Sequence, residues 1–147
     1  MDYKFMKAAL SAAKKAEILG EIPVGAVVVK NGEIISEGYN LRETNKNALH
    51  HAEVIAIDNA CKKLNTRRLK ECDIYVTLEP CIMCGGAIIN SEIKNVYFGA
   101  YDINGGSCGI SRNIFKDFKN INVMGGIMEK ECSEILTAFF EKMRKDD

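Results

Sequence analysis

Residues 73–99 constrain the fold more than any other part of the chain. They read as a strand over residues 73–78, a short helix over residues 81–90 and a second buried strand over residues 95–99. A right-handed crossover joins strands that follow each other in this order, and such strands lie parallel. The sequence therefore predicts an α/β fold that contains at least one parallel pair of strands.

A β-hairpin is predicted nearer the N-terminus, where Asn31-Gly32 separates two β-branched, apolar runs over residues 24–30 and 33–39. The spacing of apolar residues predicts helices over residues 3–19, 51–64, 111–118 and 128–144, and a short strand over residues 121–124. We expect a single domain over residues 1–147. Its predicted architecture is a three-layer α/β/α sandwich with a mixed sheet of about five strands.

The composition is that of a globular domain and excludes several other classes. A chain of 147 residues with 47% hydrophobic and 27% charged residues has room for one core and is neither disordered nor fibrous. Its apolar runs are too short to cross a bilayer, and charges interrupt the first residues where a signal peptide is apolar. We therefore expect a cytoplasmic protein with no membrane partner.

The charge balance limits how the chain can bind nucleic acid. Lys plus Arg and Asp plus Glu both number 20, so no net positive charge attracts polyanions and any phosphate-binding surface must be local. Between residues 42 and 70 basic residues outnumber acidic ones. This run predicts either a local phosphate-binding surface or simply a solvated helix face. The basic residues of this run are Arg42, Lys46, Lys62, Lys63, Arg67, Arg68 and Lys70.

Six cysteines occur, and only Cys81 and Cys84 are grouped. Because no export signal is present, we expect reduced thiols, and a grouped pair then indicates a metal site. The isolated cysteines at positions 61, 72 and 132 read as small core residues, and Cys108 reads as an exposed loop thiol.

Cys81 and Cys84 begin a predicted helix three residues apart, which brings both sulfurs to one face of its first turn. A helix N-terminus favours thiolate over thiol. Zinc binds thiolates and imidazole, and His51, at the start of another predicted helix, supplies a third ligand. Three protein ligands leave the fourth tetrahedral position to water, so we expect one catalytic zinc ion per chain.

Glu53 follows His51 by two positions, close enough to reach a zinc-bound water without binding the metal itself. Zinc lowers the pKa of such a water to about 7, and a neighbouring carboxylate can take its proton and hand it on. This combination suits attack on an sp² carbon that bears an amine. The pattern therefore predicts a zinc-dependent hydrolase that carries out hydrolytic deamination, with Glu53 as its catalytic residue.

Other interpretations of these residues stay open at this point. A CxxC pair is also typical of a redox dithiol, although this leaves His51 and Glu53 without a role. His50 is an alternative ligand, but only His51 has the one-residue gap to a carboxylate. Glu53 by itself is typical of a surface charge at a helix N-terminus. A zinc module that binds nucleic acid without catalysis is the alternative from another functional class.

The His51-x-Glu53 and Pro80-Cys81-x-x-Cys84 motifs resemble those of the zinc-dependent cytidine deaminase superfamily, which is known by this signature. Within the superfamily the chain is most similar to the bacterial tRNA-specific adenosine deaminases, over nearly its whole length. The further matching stretches are Glu21-Ile22-Pro23-Val24-Gly25-Ala26-Val27, Gly38-Tyr39-Asn40, Tyr75-Val76-Thr77-Leu78-Glu79, Phe98-Gly99-Ala100 with Asp102, and Phe139-Phe140.

The resemblance implies a cytidine deaminase-like fold and a role for each matching residue. His51, Cys81 and Cys84 correspond to the zinc ligands and Glu53 to the proton shuttle. Two further matches concern the substrate: Asn40 is implied to hydrogen-bond the target base and Asp102 to lie beside the nucleotide. Asn40 is also typical of a capping residue, and an Asp in a Gly-rich loop is typical of a turn.

The resemblance further implies a homodimer formed through the face near the zinc-binding helices. Ile82, Met83 and Ile88 suit such a contact, or equally the core.

The substrate implied by the resemblance is adenosine in a tRNA anticodon loop, which is converted to inosine. An unpaired loop base can be splayed into a pocket at little cost. The chain departs from the tRNA branch at residues 41–43 and 48–50 and at Tyr101, all near the entrance. These departures and the neutral charge favour the alternative, a deaminase of a free base or nucleoside such as guanine or cytosine. Phe139-Phe140 favours tRNA.

Overall fold

The computed structural model describes residues 2–109 and 112–146, which form four helices and five strands. The order along the chain is α1 (Lys4–Ile18), β1 (Gly25–Lys30), β2 (Glu33–Tyr39), α2 (Ala52–Leu64), β3 (Cys72–Leu78), α3 (Ile82–Asn90), β4 (Asn95–Ala100), β5 (Asn122–Met124) and α4 (Glu129–Asp146). No helix in these described ranges is long and apolar enough to span a bilayer.

The five strands form one mixed sheet in the order β2-β1-β3-β4-β5. Strand β1 lies antiparallel to both β2 and β3, whereas β4 lies parallel to both β3 and β5. The predicted hairpin is confirmed: Asn31 and Gly32 both have positive φ, at 50° and 76°, as a type I′ turn requires. The parallel pair predicted from residues 73–99 is confirmed as β3 and β4.

The sheet is covered on both faces, which confirms the three-layer α/β/α arrangement. The alternation along β1 sends Ala26 and Val28 to the face covered by α2 and α3, and Val27 and Val29 to the face covered by α1 and α4. All four side chains are at most 3% exposed. Each fully buried valine contributes about 1.5–3 kcal/mol, so this central strand is a main source of stability.

Helix α2 lies unusually close to the edge strand β2. A Cβ built on Gly38 would lie 2.3 Å from the carbonyl oxygen of Ala52 and 2.6 Å from the amide nitrogen of Ala56. Only glycine permits this approach, because any side chain would collide with the helix backbone. The contact fixes the N-terminus of α2, where His51 and Glu53 lie, against the sheet.

The helix predicted over residues 111–118 is wrong for the part that the structure describes; residue 111 lies outside the described residues. Asn113 instead pairs with Cys108 in an isolated β-bridge, and residues 114–117 form a turn. The Asn113 side chain accepts the N–H of Phe115 at 3.0 Å, and the N–H of Ile114 donates to the carbonyl oxygen of Ser107. These bonds replace helical ones. The apolar spacing was misleading because Phe115 enters the core, where it is 5% exposed.

Candidate metal centre and substrate cavity

Two helix N-termini meet at the end of the sheet where β3 finishes. His51 is the N-cap residue of α2, and Cys81, three residues after β3, is the N-cap residue of α3. Both have extended backbones, with ψ of 155° and 178°, and neither side chain caps its own helix. Cys84 lies in the first turn of α3, three residues after Cys81, so the side chains of all three residues can converge.

His51, Cys81 and Cys84 have ligand atoms within 4.8 Å of one another. Nδ1 of His51 lies 3.7 Å from Sγ of Cys81 and 3.6 Å from Sγ of Cys84. Bonds of about 2.3 Å to sulfur and about 2.0 Å to nitrogen at a tetrahedral ion separate two ligand atoms by roughly 3.6 Å. The spacing and the two-sulfur, one-imidazole donor set therefore fit zinc.

The structure brings His51, rather than His50, to the two thiols. Nδ1 of His50 lies 2.9 Å from Nδ2 of Asn45, and His50 is absent from the described residues that line the neighbouring cavity.

Hydrogen bonds among the three groups shift their pKa values. The hydrogen bond from Cys84 lowers the pKa of the Cys81 thiol to about 3, and the His51 ring reinforces the effect. The same bond to Cys81, together with burial, raises the pKa of Cys84. The bond to Cys81 also raises the pKa of His51. The site therefore favours a negatively charged sulfur on Cys81, which the neighbouring Cys84 and His51 stabilise. A thiolate is the form of cysteine that binds a metal cation.

Glu53 lies in the first turn of α2 and is 4% exposed. Burial raises the pKa of its carboxyl group to about 7, and the nearby Cys81 sulfur contributes to the increase. The carboxyl group also lies within hydrogen-bonding reach of the Cys84 sulfur. A carboxyl group with a pKa near 7 can both accept and release a proton at neutral pH.

A cavity of about 130 Å³ opens beside this centre. Its aliphatic walls are Ile22, Val24 and Leu78. Its other lining residues are Asn40, Arg42, His51, Ala52, Glu53, Glu79, Cys81 and Asp102. A cavity of about 150 Å³ holds benzene. The enclosed space is therefore close to the size of a single aromatic ring.

Asn40 lines this cavity and also stabilises the backbone around it. Its Nδ2 donates to the carbonyl oxygen of Ile22 at 3.2 Å, and its Oδ1 accepts the N–H of Arg42 at 3.1 Å. The second bond is the capping role that the sequence left open. A primary amide has two N–H donors and two oxygen lone pairs, so these two bonds leave one donor and one lone pair of Asn40 unused.

Asp102 also lines the cavity and lies two residues after the end of β4. Its Oδ1 accepts the N–H of Gly105 at 3.0 Å, which is the turn-forming role that the sequence also left open. The preceding Tyr101 is 42% exposed, does not line the cavity, and packs edge-on against Phe98 with ring centroids 5.0 Å apart.

The basic run does not form one patch at this site. Arg42 lines the cavity, but Lys62 and Lys63 lie in the last turn of α2, a helix of 13 residues that spans about 20 Å. Several of the distant cations also have acidic partners. Lys62 pairs with Asp58, and Arg68 pairs with Glu92.

The structure defines the surroundings of three residues, Cys108, Ile82 and Ile88, that the sequence left open. Cys108 is only half-buried against the core rather than an exposed loop thiol, and burial raises its pKa to about 12. Ile88 is fully buried in the core, whereas Ile82 is 60% exposed, so the two do not share one surface.

Two buried carboxylates at the cavity were missed by sequence reasoning. Glu21 and Glu79 are each 2% exposed, and each accepts backbone N–H groups from a loop beside the cavity. One signal could have found them, because each is an acidic residue within an apolar segment, just before a proline-containing turn.

Comparisons with known proteins agree with this geometry. Residues 1–100 match the family model described as the cytidine and deoxycytidylate deaminase zinc-binding region. The chain is 48% identical over 147 residues to the tRNA-specific adenosine deaminase of Bacillus subtilis (strain 168), covering 98% of this chain and 91% of the relative.

Solved structures are similar as well. One, from studies of A-to-I editing by tRNA:A34 deaminases at the wobble position of transfer RNA, has a TM-score of 0.84 and 36% identity, covering 92% of this chain and 100% of that chain. A guanine deaminase from Bacillus subtilis has a TM-score of 0.65 and 42% identity, covering 69% of this chain and 66% of that chain.

Proposed function

The chain belongs to the cytidine and deoxycytidylate deaminase family, and from this membership we propose that it converts adenosine to inosine in a tRNA anticodon loop. The observation that carries the proposal is the 48% identity to a tRNA-specific adenosine deaminase over 98% of the chain. The cavity beside His51, Glu53 and the two thiols supports deamination, because it places a ring-sized space next to the groups that would activate water.

His51, Cys81 and Cys84 hold one zinc ion per chain in this proposal. When bound there, zinc supplies the Lewis acidity that brings the pKa of a water molecule to about 7. The protein supplies the remaining chemistry through side chains that bind the base and move protons.

Glu53 carries the protons between water and the base. Its carboxylate takes a proton from the attacking water as the new C–O bond forms at C6 of adenine, and it delivers that proton to N1. It then moves the proton of the new C6 hydroxyl group to the exocyclic nitrogen as the C–N bond breaks, so that ammonia leaves and inosine, with a C6 carbonyl and an N1–H, is formed. A pKa raised to about 7 by burial suits this carboxyl group to both transfers.

Asn40 and Asp102 orient the base from two sides. The free N–H and lone pair of the Asn40 amide bind the edge of the base, and Asp102 lies beside the attached nucleotide. The aliphatic walls exclude water, which strengthens these polar contacts. An anticodon-loop base reaches the cavity easily, because it is unpaired and can be splayed out of the loop.

A deaminase of a free base or nucleoside is the second candidate. One observation favours it: the 42% identity to a guanine deaminase over 69% of the chain. Incubation with an anticodon stem-loop RNA and, separately, with free bases and nucleosides distinguishes the two candidates. The tRNA proposal predicts inosine in the RNA.

The assembly and location follow from the same proposal. A tRNA-modifying enzyme works in the cytoplasm, where tRNA is used. We also propose a homodimer formed through the face of α3. Its support is the 60% exposure of Ile82, an apolar residue next to the ligand Cys81.

A further inference from the structure

Glu79 holds a loop beside the cavity at both of its ends. The residue directly follows β3 and its side chain is 2% exposed. One carboxylate oxygen, Oε1, accepts the N–H of Asp102 at 3.0 Å. The other, Oε2, accepts the N–H of Cys108 at 2.9 Å. A single buried side chain therefore ties down the first and last residues of the loop over residues 102–108.

The same loop is packed against the turn that carries Cys81. A Cβ built on Gly106 would lie 2.2 Å from the carboxyl carbon of Glu79, so glycine is required there. Oγ of Ser107 donates to the carbonyl oxygens of Pro80 at 2.8 Å and Cys81 at 3.1 Å. The loop, the carboxylate and the ligand turn thus form one contiguous unit.

Glu79 and Asp102 both line the cavity, and their backbone-to-side-chain bond links them directly. A buried carboxylate is stable only when hydrogen bonds satisfy it, and bonds that involve a charged group are about twice as strong as neutral ones. The loop and the carboxylate therefore hold each other in one geometry.

We propose that Glu79 is a positioning residue for deamination: it fixes the loop over residues 102–108, so that Asp102 meets the nucleotide in a preformed position. The proposal rests on the proposed function, since it takes the target base to bind in this cavity. Glu79 itself does not transfer a proton.

The test compares Glu79→Gln with the matched control Glu71→Gln. Glu71 directly precedes β3, as Glu79 directly follows it, but Glu71 is exposed and far from the cavity. Glutamine keeps the shape of the side chain, yet its NH₂ group cannot accept an N–H, so one of the two bonds is lost.

We expect Glu79→Gln to increase KM for an anticodon stem-loop RNA about tenfold or more, with kcat changed less than about threefold. Zinc content stays at one ion per chain. Hydrogen exchange at the amides of Asp102 and Cys108 becomes faster, and Glu71→Gln changes none of these quantities. If Glu79 only stabilised the fold, the variant would not combine a change in KM alone with faster exchange at these two amides.

Gly106→Ala is the second variant, to be used if Glu79→Gln fails to fold. It disturbs the same contact from the loop side, because the added methyl group displaces the Glu79 carboxylate without removing its charge. We expect the same increase in KM and faster exchange. Unchanged exchange at both amides, KM within about twofold of wild type, or loss of zinc in both variants overturns the proposal. If the wild type makes no inosine in RNA, the proposed function fails. The role of Glu79 can still be tested then, through amide exchange and through KM for the base that the protein does deaminate.

Discussion

Nδ1 of His51 lies 3.6 Å from Sγ of Cys84, although 33 positions separate them in the chain. The two residues are brought together because α2 and α3 both begin at the end of the sheet where β3 finishes. Nothing local to either motif creates the site. The tertiary arrangement of two helix N-termini does so, and it leaves a cavity between them in which Glu53 is buried.

Removing a thiol ligand should remove the metal. We expect Cys84→Ser to hold less than about a tenth of an equivalent of zinc after gel filtration, because only two of the three donors are then left. Elemental analysis measures the zinc content per chain. Cys61→Ser is the control, since Cys61 is half-buried elsewhere in the fold and should keep its zinc. Full zinc occupancy in Cys84→Ser would show that the ion is bound elsewhere.

Replacing Glu53 should separate catalysis from binding. We expect Glu53→Ala to retain zinc and RNA affinity but to lose about 10²–10⁴-fold in kcat, because no other group replaces its proton transfer. Single-turnover assays with separate zinc analysis measure both effects. Glu17→Ala, an exposed change near the end of α1, is the matched control. Wild-type turnover in Glu53→Ala would show that Glu53 is not the proton shuttle. RNA binding by both the wild type and Glu53→Ala, with turnover in neither, would favour a zinc module that binds nucleic acid without catalysis.

Glu21 should stabilise the loop after β2 in a pH-dependent way. Burial alone would raise the pKa of Glu21, but hydrogen bonds from Thr44 and Glu43 outweigh it and hold the pKa below its usual value. The ionised form is therefore favoured by folding. Its contribution is complete above the unfolded pKa of about 4.3 and is lost as the pH falls through the lower folded pKa.

We expect Glu21→Gln to lower the free energy of unfolding by about 1–3 kcal/mol at pH 7, because one backbone N–H loses its acceptor. The difference from wild type should shrink below a pH of about 4. Urea denaturation of both proteins at several pH values measures this difference in the free energy of unfolding. A difference that is independent of pH would mean that Glu21 contributes by packing and not through its charge.

The exposed face of α3 should carry the dimer contact. We expect Ile82→Glu to shift the protein from dimer to monomer in analytical ultracentrifugation, because a charge cannot be buried unpaired in an apolar contact. Ile18→Glu is the control, since Ile18 is 83% exposed at the end of α1. A wild-type protein that is monomeric at micromolar concentration, or an Ile82→Glu variant that still dimerises, contradicts the proposal.

Most of the fold could be predicted because its signals are local. The Asn31-Gly32 turn, the alternation along the central strands and the helical spacing in α1 each depend on neighbouring residues only. The one wrong helix, over residues 111–118, shows the limit of this reasoning. Phe115 is apolar because it is buried in the core, and its position gave the segment a helix-like spacing. Its N–H donates to the Asn113 side chain and is therefore not used in a helical hydrogen bond.

The convergence of Cys81 and Cys84, the two proposed thiol ligands, could be predicted for a similar reason, because their spacing reflects helix geometry. His51 joins them only through the tertiary fold. The backbone partners of the two loop-anchoring glutamates, Glu21 and Glu79, could not be predicted. Glu21 accepts an N–H from Thr44, 23 positions later, and Glu79 accepts one from Cys108, 29 positions later. Neither pair has a sequence pattern, and a buried glutamate alone does not reveal which distant backbone it serves.

The most direct test of the central claim measures inosine in RNA. The zinc-loaded wild-type protein is incubated with a tRNA anticodon stem-loop that carries adenosine, and nucleosides are quantified after digestion, with ammonia measured in parallel. The account predicts inosine and ammonia in equal amounts, and neither with Glu53→Ala. Product from free bases or nucleosides with none from the RNA would contradict it.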